Sequence, residues 1–311
     1  RPCPPSTTSF PGASSCYAAD IPCTPLDYFF DYTPCNPTTL KRTKTAKWIQ
    51  PVLCNNTNYA LPAPVEETCT VEACLPGKSA NPTTGACEYC PAGTASNGAT
   101  ACQSCTDGSA ADRKVYYIDR FTDRSKLNTA CTGECRSGGW RFAGSFMDSG
   151  LGNGISESYF SFAVEPAAKS SNVTILFEYA LSCGSGVLEF SLDGILWDWI
   201  DCSGCKDLNA FSVFKLEVPR STKPVNVLVN YRTRSDVHTD GYTCDRAVIR
   251  KVTVLGTEYG GSEVCDVCVP GTFSNNRATC DLCTAGTFSN LGSLNCSDCP
   301  ANTFSKDGAG A

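Results

Sequence analysis

A single histidine and a single methionine occur in 311 residues, and only 18% of the chain is charged. With one imidazole, a Ser-His-Asp or Cys-His mechanism would have to use His238. Its setting, Ser235-Asp236-Val237-His238-Thr239-Asp240-Gly241, reads as a polar exposed turn instead. Walker-type loops, GxGxxG, the nucleophile elbow and HExxH are all missing. The chain is therefore not expected to be an enzyme, and neither a cofactor nor a metal is expected. No stretch approaches the roughly 20 apolar residues of a membrane span, so no transmembrane segment is expected within the chain. The net charge is −6, and the one basic block, Lys41-Arg42-Thr43-Lys44-Thr45-Ala46-Lys47, reads as a solvated face. Nucleic acid is not an expected partner. The sequence opens at Arg1 with neither Met nor an apolar leader, which reads as the product of signal-peptide removal.

What the chain has in excess is cysteine. Its 23 cysteines are far above cytosolic usage and point to an oxidising, extracellular compartment. Cys265-x2-Cys268-x11-Cys280-x2-Cys283-x12-Cys296-x2-Cys299 forms a ladder in which nearly one phrase follows each pair. The phrase is Val269-Pro270-Gly271-Thr272-Phe273-Ser274, then Thr284-Ala285-Gly286-Thr287-Phe288-Ser289, then Pro300-Ala301-Asn302-Thr303-Phe304-Ser305. The same unit occurs in Cys87-x2-Cys90-x11-Cys102-x2-Cys105, with Pro91-Ala92-Gly93-Thr94-Ala95-Ser96 inside it, and Cys74-Leu75-Pro76-Gly77 is one more. A unit of 15 to 16 residues cannot bury a core, so cross-links must replace it and the repeats read as rods of small stapled loops. Paired CxxC motifs also bind zinc, but a spacer of 11 or 12 residues is shorter than the roughly 15 to 20 of a four-cysteine ribbon. The simplest ladder joins the second Cys of one pair to the first of the next: Cys74–Cys87, Cys90–Cys102, Cys268–Cys280 and Cys283–Cys296. Each loop would contribute about 3 kcal/mol in the chain-entropy account. Sequons at Asn55, Asn172 and Asn295 add the expectation of N-glycans. A sugar on Asn172 further implies that the strand beginning at Val173 lies at an edge or rim.

These units, carried by C-x2-C-x-P/A-G-T-F-S, resemble the ephrin-receptor-like cysteine-rich repeats, relatives of the tumour-necrosis-factor-receptor modules, over residues 74–105 and 265–311. The resemblance implies a receptor, secreted glycoprotein or surface protein and says nothing about an activity. There are two departures: Ala95 stands where other units have Phe, and Asn302 stands for Gly, which weakens the expected turn.

Residues 1–70 are rich in Pro, Thr and Ser, carry Cys3, Cys16, Cys23, Cys35, Cys54 and Cys69, and keep no regular period. They read as an irregular arm with extended pieces at Tyr28–Tyr32 and Trp48–Leu53, and with a worn copy of the repeat from Cys3 to Cys16. Further on the texture changes. Val173, Ile175, Phe177, Tyr179 and Leu181 alternate with their neighbours, as do Leu188, Phe190 and Leu192, then Phe214, Leu216 and Val218, then Val225, Val227, Val229 and Tyr231. A last strand, Ala247 to Val254, changes phase at Arg250-Lys251, which a β-bulge would explain. The expected fold is all-β: an arm over 1–70, cysteine-rich repeats over 71–112 and 261–311, and a jelly-roll-like β-sandwich over 113–260. The middle segment resembles the ligand-binding-like sandwiches found beside such repeats in endosome-associated surface glycoproteins, through Phe190-Ser191-Leu192-Asp193-Gly194 followed by Trp197. No functional residue is carried over from it.

Cys202-Ser203-Gly204-Cys205 has redox spacing but no helix start, so structural bonds are expected there. Asp148-Ser149-Gly150-Leu151-Gly152-Asn153-Gly154 offers oxygens to Ca2+ but lacks the closing acid of an EF-hand, and reads as a glycine turn. Trp197-Asp198-Trp199 offers two indoles to a sugar, yet alternation puts both on one side of a strand, where core packing is expected; Trp140 is expected in the core as well. With repeats on both sides of a sandwich and no site chemistry, the favoured function is a structural subunit of an extracellular filament, hair or cell-surface coat. It would polymerise head-to-tail with copies of itself, with the arm packing on a neighbour. That architecture is similar to algal and protist surface-hair (mastigoneme) glycoproteins. The alternative is a ligand-binding ectodomain, lectin-like or receptor. Because 23 is odd and the ladder spacing puts a partner for Cys299 at 311 or 312, where Ala311 stands, the chain reads as part of a longer polypeptide, or Cys299 as bonded to the next subunit.

Overall fold

The computed structural model describes residues 2–3, 7–8, 17–18, 22–25, 27–124, 127–135, 138–150, 152–167, 172–204, 208, 210–219, 221–233 and 246–310. Among these residues the structure is all-β, and no helix is long and apolar enough to cross a membrane. The chain divides into two compact units. The first holds Arg1–Tyr32, Thr43–Glu66 and Tyr117–Val254, and the second holds Thr33–Arg42, Glu67–Tyr116 and Leu255–Ala311.

In the first unit, β1 (Tyr28–Tyr32) pairs antiparallel with β2 (Lys41–Trp48). The basic run is therefore a strand, and it ends at Trp48 rather than beginning there, because Pro51 has no N–H to extend a ladder. Its charge is partly met: Lys47 and Arg120 each lie 2.7 Å from a carboxylate oxygen of Asp31. Lys44 sits 3.9 Å above the ring of Phe30 on the opposite face.

The sandwich is built from β3 (Asn128–Cys135), β4 (Arg141–Phe142), β5 (Met147–Asp148), β6 (Gly152–Val164), β7 (Val173–Leu192), β8 (Ile195–Gly204), β9 (Ser212–Val218), β10 (Val225–Thr233) and β11 (Arg246–Leu255). One sheet runs β3-β6-β10-β7-β8, and the other β9-β7-β11-β5-β4. Both contain β7. Its first half pairs with β9 from Val173↔Val218 to Tyr179↔Ser212, and its second half pairs with β10 from Gly186↔Thr233 to Leu192↔Val227. What alternates in the sequence as two strands is one strand of 20 residues turning from sheet to sheet. It is interior to both, so the strand after Asn172 is not an edge; Asn172 itself is exposed at its end.

The core lies between the sheets. Trp140, Phe160, Ile175, Phe177, Leu188, Phe190, Leu216 and Ile249 are fully buried, each contributing about 1.5–3 kcal/mol by removal from water. Phe190 stacks 4.2 Å from Phe214 and lies 5.0 Å from Phe177. The indole N–H of Trp140 donates to the carbonyl of Ser158 at 3.0 Å, so its polar edge is satisfied inside. In β11 the core side passes from Ala247 and Ile249 to Val252 and Val254, and the two cations between them both reach Glu178.

The second unit repeats one hairpin five times. Lys78–Ala80 pairs with Cys87–Tyr89, Thr94–Ala95 with Gln103–Ser104, Ser109–Ala110 with Asp266–Val267, Thr272–Phe273 with Asp281–Leu282, and Thr287–Phe288 with Ser297–Asp298. One hydrogen bond recurs in all of them: the N–H groups of Cys90, Cys105, Cys268, Cys283 and Cys299 donate to the carbonyls of Gly77, Gly93, Gly108, Gly271 and Gly286 at 2.9–3.0 Å. The third hairpin draws its strands from opposite sides of the sandwich segment. The repeats are thus a single array into which the sandwich is inserted, not two separate ends. Cys105-Thr106-Asp107-Gly108-Ser109-Ala110 is itself a repeat phrase, written with Ser-Ala instead of Thr-Phe. Asn302 keeps the turn, at φ 66°, beside Gly271 and Gly286 at 87°, because Asn tolerates the left-handed region. The expected weakening does not occur there.

Candidate ligand-binding face

Disulfides join Cys74 to Cys87, Cys90 to Cys102, Cys268 to Cys280 and Cys283 to Cys296, with Cα separations of 5.4–5.7 Å. Cys105–Cys265 completes the series at 5.5 Å, and Cys23–Cys54 and Cys35–Cys69 tie the first 70 residues. Cys202 is disulfide-bonded and buried. Cys299 is a free, half-buried thiol. Cys16, Cys205 and His238 lie outside the described residues.

Of the sequon residues, Asn172 and Asn295 are exposed. Asn55 is half-buried, its side-chain oxygen accepting from the N–H of Thr57 at 3.0 Å. Asp148 cannot serve a cation. Its carboxylate is buried, accepts from Arg141 at 3.0 and 3.2 Å and from Arg246 at 2.5 Å, and also accepts from the N–H of Gly150 at 2.8 Å. Among the described residues no group of three or more His, Cys, Asp or Glu is placed to hold a metal ion.

The tryptophan pair departs from expectation. Trp197 is 49% and Trp199 54% exposed, on a strand whose far edge has no pairing partner among the described residues. For Trp197 the reason is a register shift in β8: Phe190 lies opposite Asp198, but Ser191 lies opposite Leu196, so Trp197 is an extra residue that breaks the alternation. Trp199 lies opposite Glu189, on the face turned away from the core.

Register then defines that outer face row by row. Trp199, Glu189, Asn230 and Tyr159 lie side by side on β8, β7, β10 and β6. The next row is Asp201, Val187, Arg232 and Glu157, and the row on the other side holds Leu196, Ser191, Leu228 and Ser161. Arg232 pairs with Glu189 and reaches Glu157 at 4.0 Å, and the Asn230 amide donates to Glu189 at 3.1 Å. Two buried atoms in this group, Asn230 Oδ1 and Arg232 Nε, have no hydrogen-bond partner among the described residues. The face can stack flat rings at its aromatic positions and exchange hydrogen bonds between them. Sequence reasoning missed most of it because it spans four strands; β6, with Phe160, Phe162 and Val164 alternating against Tyr159, Ser161 and Ala163, carried a strand signal that could have been read.

A family model for "Tyrosine-protein kinase ephrin type A/B receptor-like" sequences matches residues 271–311. No curated protein matches the chain. Among solved structures, CBM35 from Paenibacillus barcinonensis aligns at 13% identity over 45% of this chain and 96% of its own, with a TM-score of 0.28. A family 35 carbohydrate binding module from Clostridium thermocellum aligns at 10% identity over 48% and 98%, with a TM-score of 0.27. A family 11 module from the same organism, solved with a mixed-linked tetrasaccharide, aligns at 10% identity over 49% and 98%, with a TM-score of 0.25. The family match and the disulfide array together make the second unit a cysteine-rich module of extracellular type.

Proposed function

We propose that the protein is an extracellular, non-catalytic, ligand-binding ectodomain, with the outer face of the β8 sheet as its binding surface and the cysteine-rich array as its stapled support. One observation carries the reading: two tryptophans of β8 are half-exposed, although burial of such rings is a large source of stability and this core buries other aromatics fully. Hydroxyl-radical footprinting tests it, on the protein incubated with extracellular material of its own source. Trp197, Trp199 and Tyr159 become protected if the reading is right. Protection confined to other surfaces counts against it.

The second reading is the filament or coat subunit, N-glycosylated and polymerising with copies of itself in the manner of a surface-hair protein. It is favoured by the edge of β8, which has no partner among the described residues and where Ile195 and Leu196 are 69% and 52% exposed. Under this reading, sedimentation of the pure protein shows mass growing with concentration, and Leu196→Lys abolishes the growth.

A further inference from the structure

Resting on that reading, we infer that the ligand is an uncharged polysaccharide lying across the strands, from Trp199 on β8 to Tyr159 on β6. These two rings share one row of the sheet, with Glu189 and Asn230 between them and Ala130 of β3 beyond Tyr159. Three inter-strand steps separate them, about 14 Å at the usual spacing. A sugar chain has flat C–H faces, which stack on aromatic rings, and hydroxyls at every unit, which need both donors and acceptors. The row supplies these in that order: ring, carboxylate, amide, ring. Ser191 and Ser161 add hydroxyls in the adjacent row.

Two features argue against other occupants. A protein partner would want an apolar centre with a polar rim, whereas in this row the polar Glu189 and Asn230 lie between the two rings. Charge excludes acidic glycans. Among the described residues of these three rows, Glu157, Glu189 and Asp201 stand against Arg232, a net negative set that disfavours uronate or sulfated chains.

Affinity electrophoresis and tryptophan-fluorescence titration of the whole chain test this, with a soluble β-glucan, a galactomannan and a xylan as neutral probes and heparin and polygalacturonate as acidic ones. The expected result is binding to at least one neutral probe and to neither acidic one. Trp199→Ala and Tyr159→Ala each weaken it about tenfold or more, while Val213→Ala, exposed on the other sheet, leaves it unchanged. Unaltered thermal unfolding of Trp199→Ala keeps the comparison clean. The inference is overturned by binding only to acidic probes, by indifference to both ring variants, or by no binding at all. If no polysaccharide binds but footprinting still protects this face, the ligand class is wrong and the binding reading stands. If Leu196→Lys abolishes a concentration-dependent dimer instead, the occupant is a second copy of the chain.

Discussion

Cys105 and Cys265 are bonded to each other across 160 residues of sequence, with their Cα atoms 5.5 Å apart. Neighbouring bonds in the same array span 12 or 13 residues with the same separation. The sandwich is thus held as a very long loop inside one hairpin of an otherwise regular ladder. Below this bond the Cys268 N–H donates to Gly108 at 3.0 Å, as its counterparts do in uninterrupted units.

Replacing both cysteines, Cys105→Ser with Cys265→Ser, is expected to lower stability by about 4–5 kcal/mol, since closing a longer loop removes more entropy from the unfolded chain. Hydrogen exchange reads it locally. The Cys268 amide should lose protection, while the amides of β7 and β10 keep theirs. Equal protection in the variant would show that packing alone holds the third hairpin.

Phe190→Ala removes a fully buried ring that touches Phe177 and Phe214, and should cost about 3–5 kcal/mol in denaturant unfolding. Trp199→Ala removes a larger ring from an exposed position and should stay within about 0.5 kcal/mol. A comparable loss for the two would mean that Trp199 packs structurally after all.

Burial by itself raises the pKa of Asp148, but the charges and hydrogen bonds of Arg141 and Arg246 outweigh it and hold the carboxyl below its ordinary value. A lowered folded pKa means stability that is present above the unfolded value near pH 4 and is lost as pH falls through the folded one. Thermal midpoints should therefore drop below about pH 4. Asp148→Asn, which leaves two largely buried guanidinium groups without a counter-charge, should cost about 3–5 kcal/mol at neutral pH and weaken the acid limb. An acid limb identical to that of the parent would place its cause in other carboxylates, with Glu178 between Lys251 and Arg250 the next to replace.

Gly271 and Gly286 share φ 87° but differ in surroundings. A Cβ at Gly271 would lie 2.1 Å from the carbonyl oxygen of Gly308, whereas one at Gly286 meets nothing within 4 Å. Gly286→Ala should cost only the left-handed strain, about 1–2 kcal/mol. Gly271→Ala should cost clearly more and loosen the 308–310 segment, seen as faster exchange of the Gly308 amide, which donates to Cys283. Equal costs would show that this backbone contact yields easily.

Alternation along Val173–Tyr179, Leu188–Leu192 and Val225–Tyr231 was enough to read an all-β sandwich, because a strand facing a core must put apolar side chains at every second position. The same rule misplaced Trp197 and Trp199. For Trp197 it assumes an unbroken pleat, which the shift breaks where Ser191 finds Leu196 across the ladder; for Trp199 the pleat holds, but the side that faces the core is that of Ile200, opposite Leu188. The third repeat escaped notice for a different reason: Ser109-Ala110 lacks the Thr-Phe signature, and its partner strand Asp266–Val267 lies on the other side of the sandwich segment.

The chemistry of single residues and their short-range spacing settled the class of this protein: oxidised, all-β, made of stapled hairpins and one sandwich, because cysteine density, turn phrases and period-2 alternation are local properties of a chain. Which residues stand together on the outer face was not local. Trp199, Glu189, Asn230 and Tyr159 share a row only through three strand registers, and Cys105 meets Cys265 across 160 residues of sequence. A register is set by pairing between distant segments, where one residue of slip turns a face from solvent to core, and that choice belongs to tertiary structure alone.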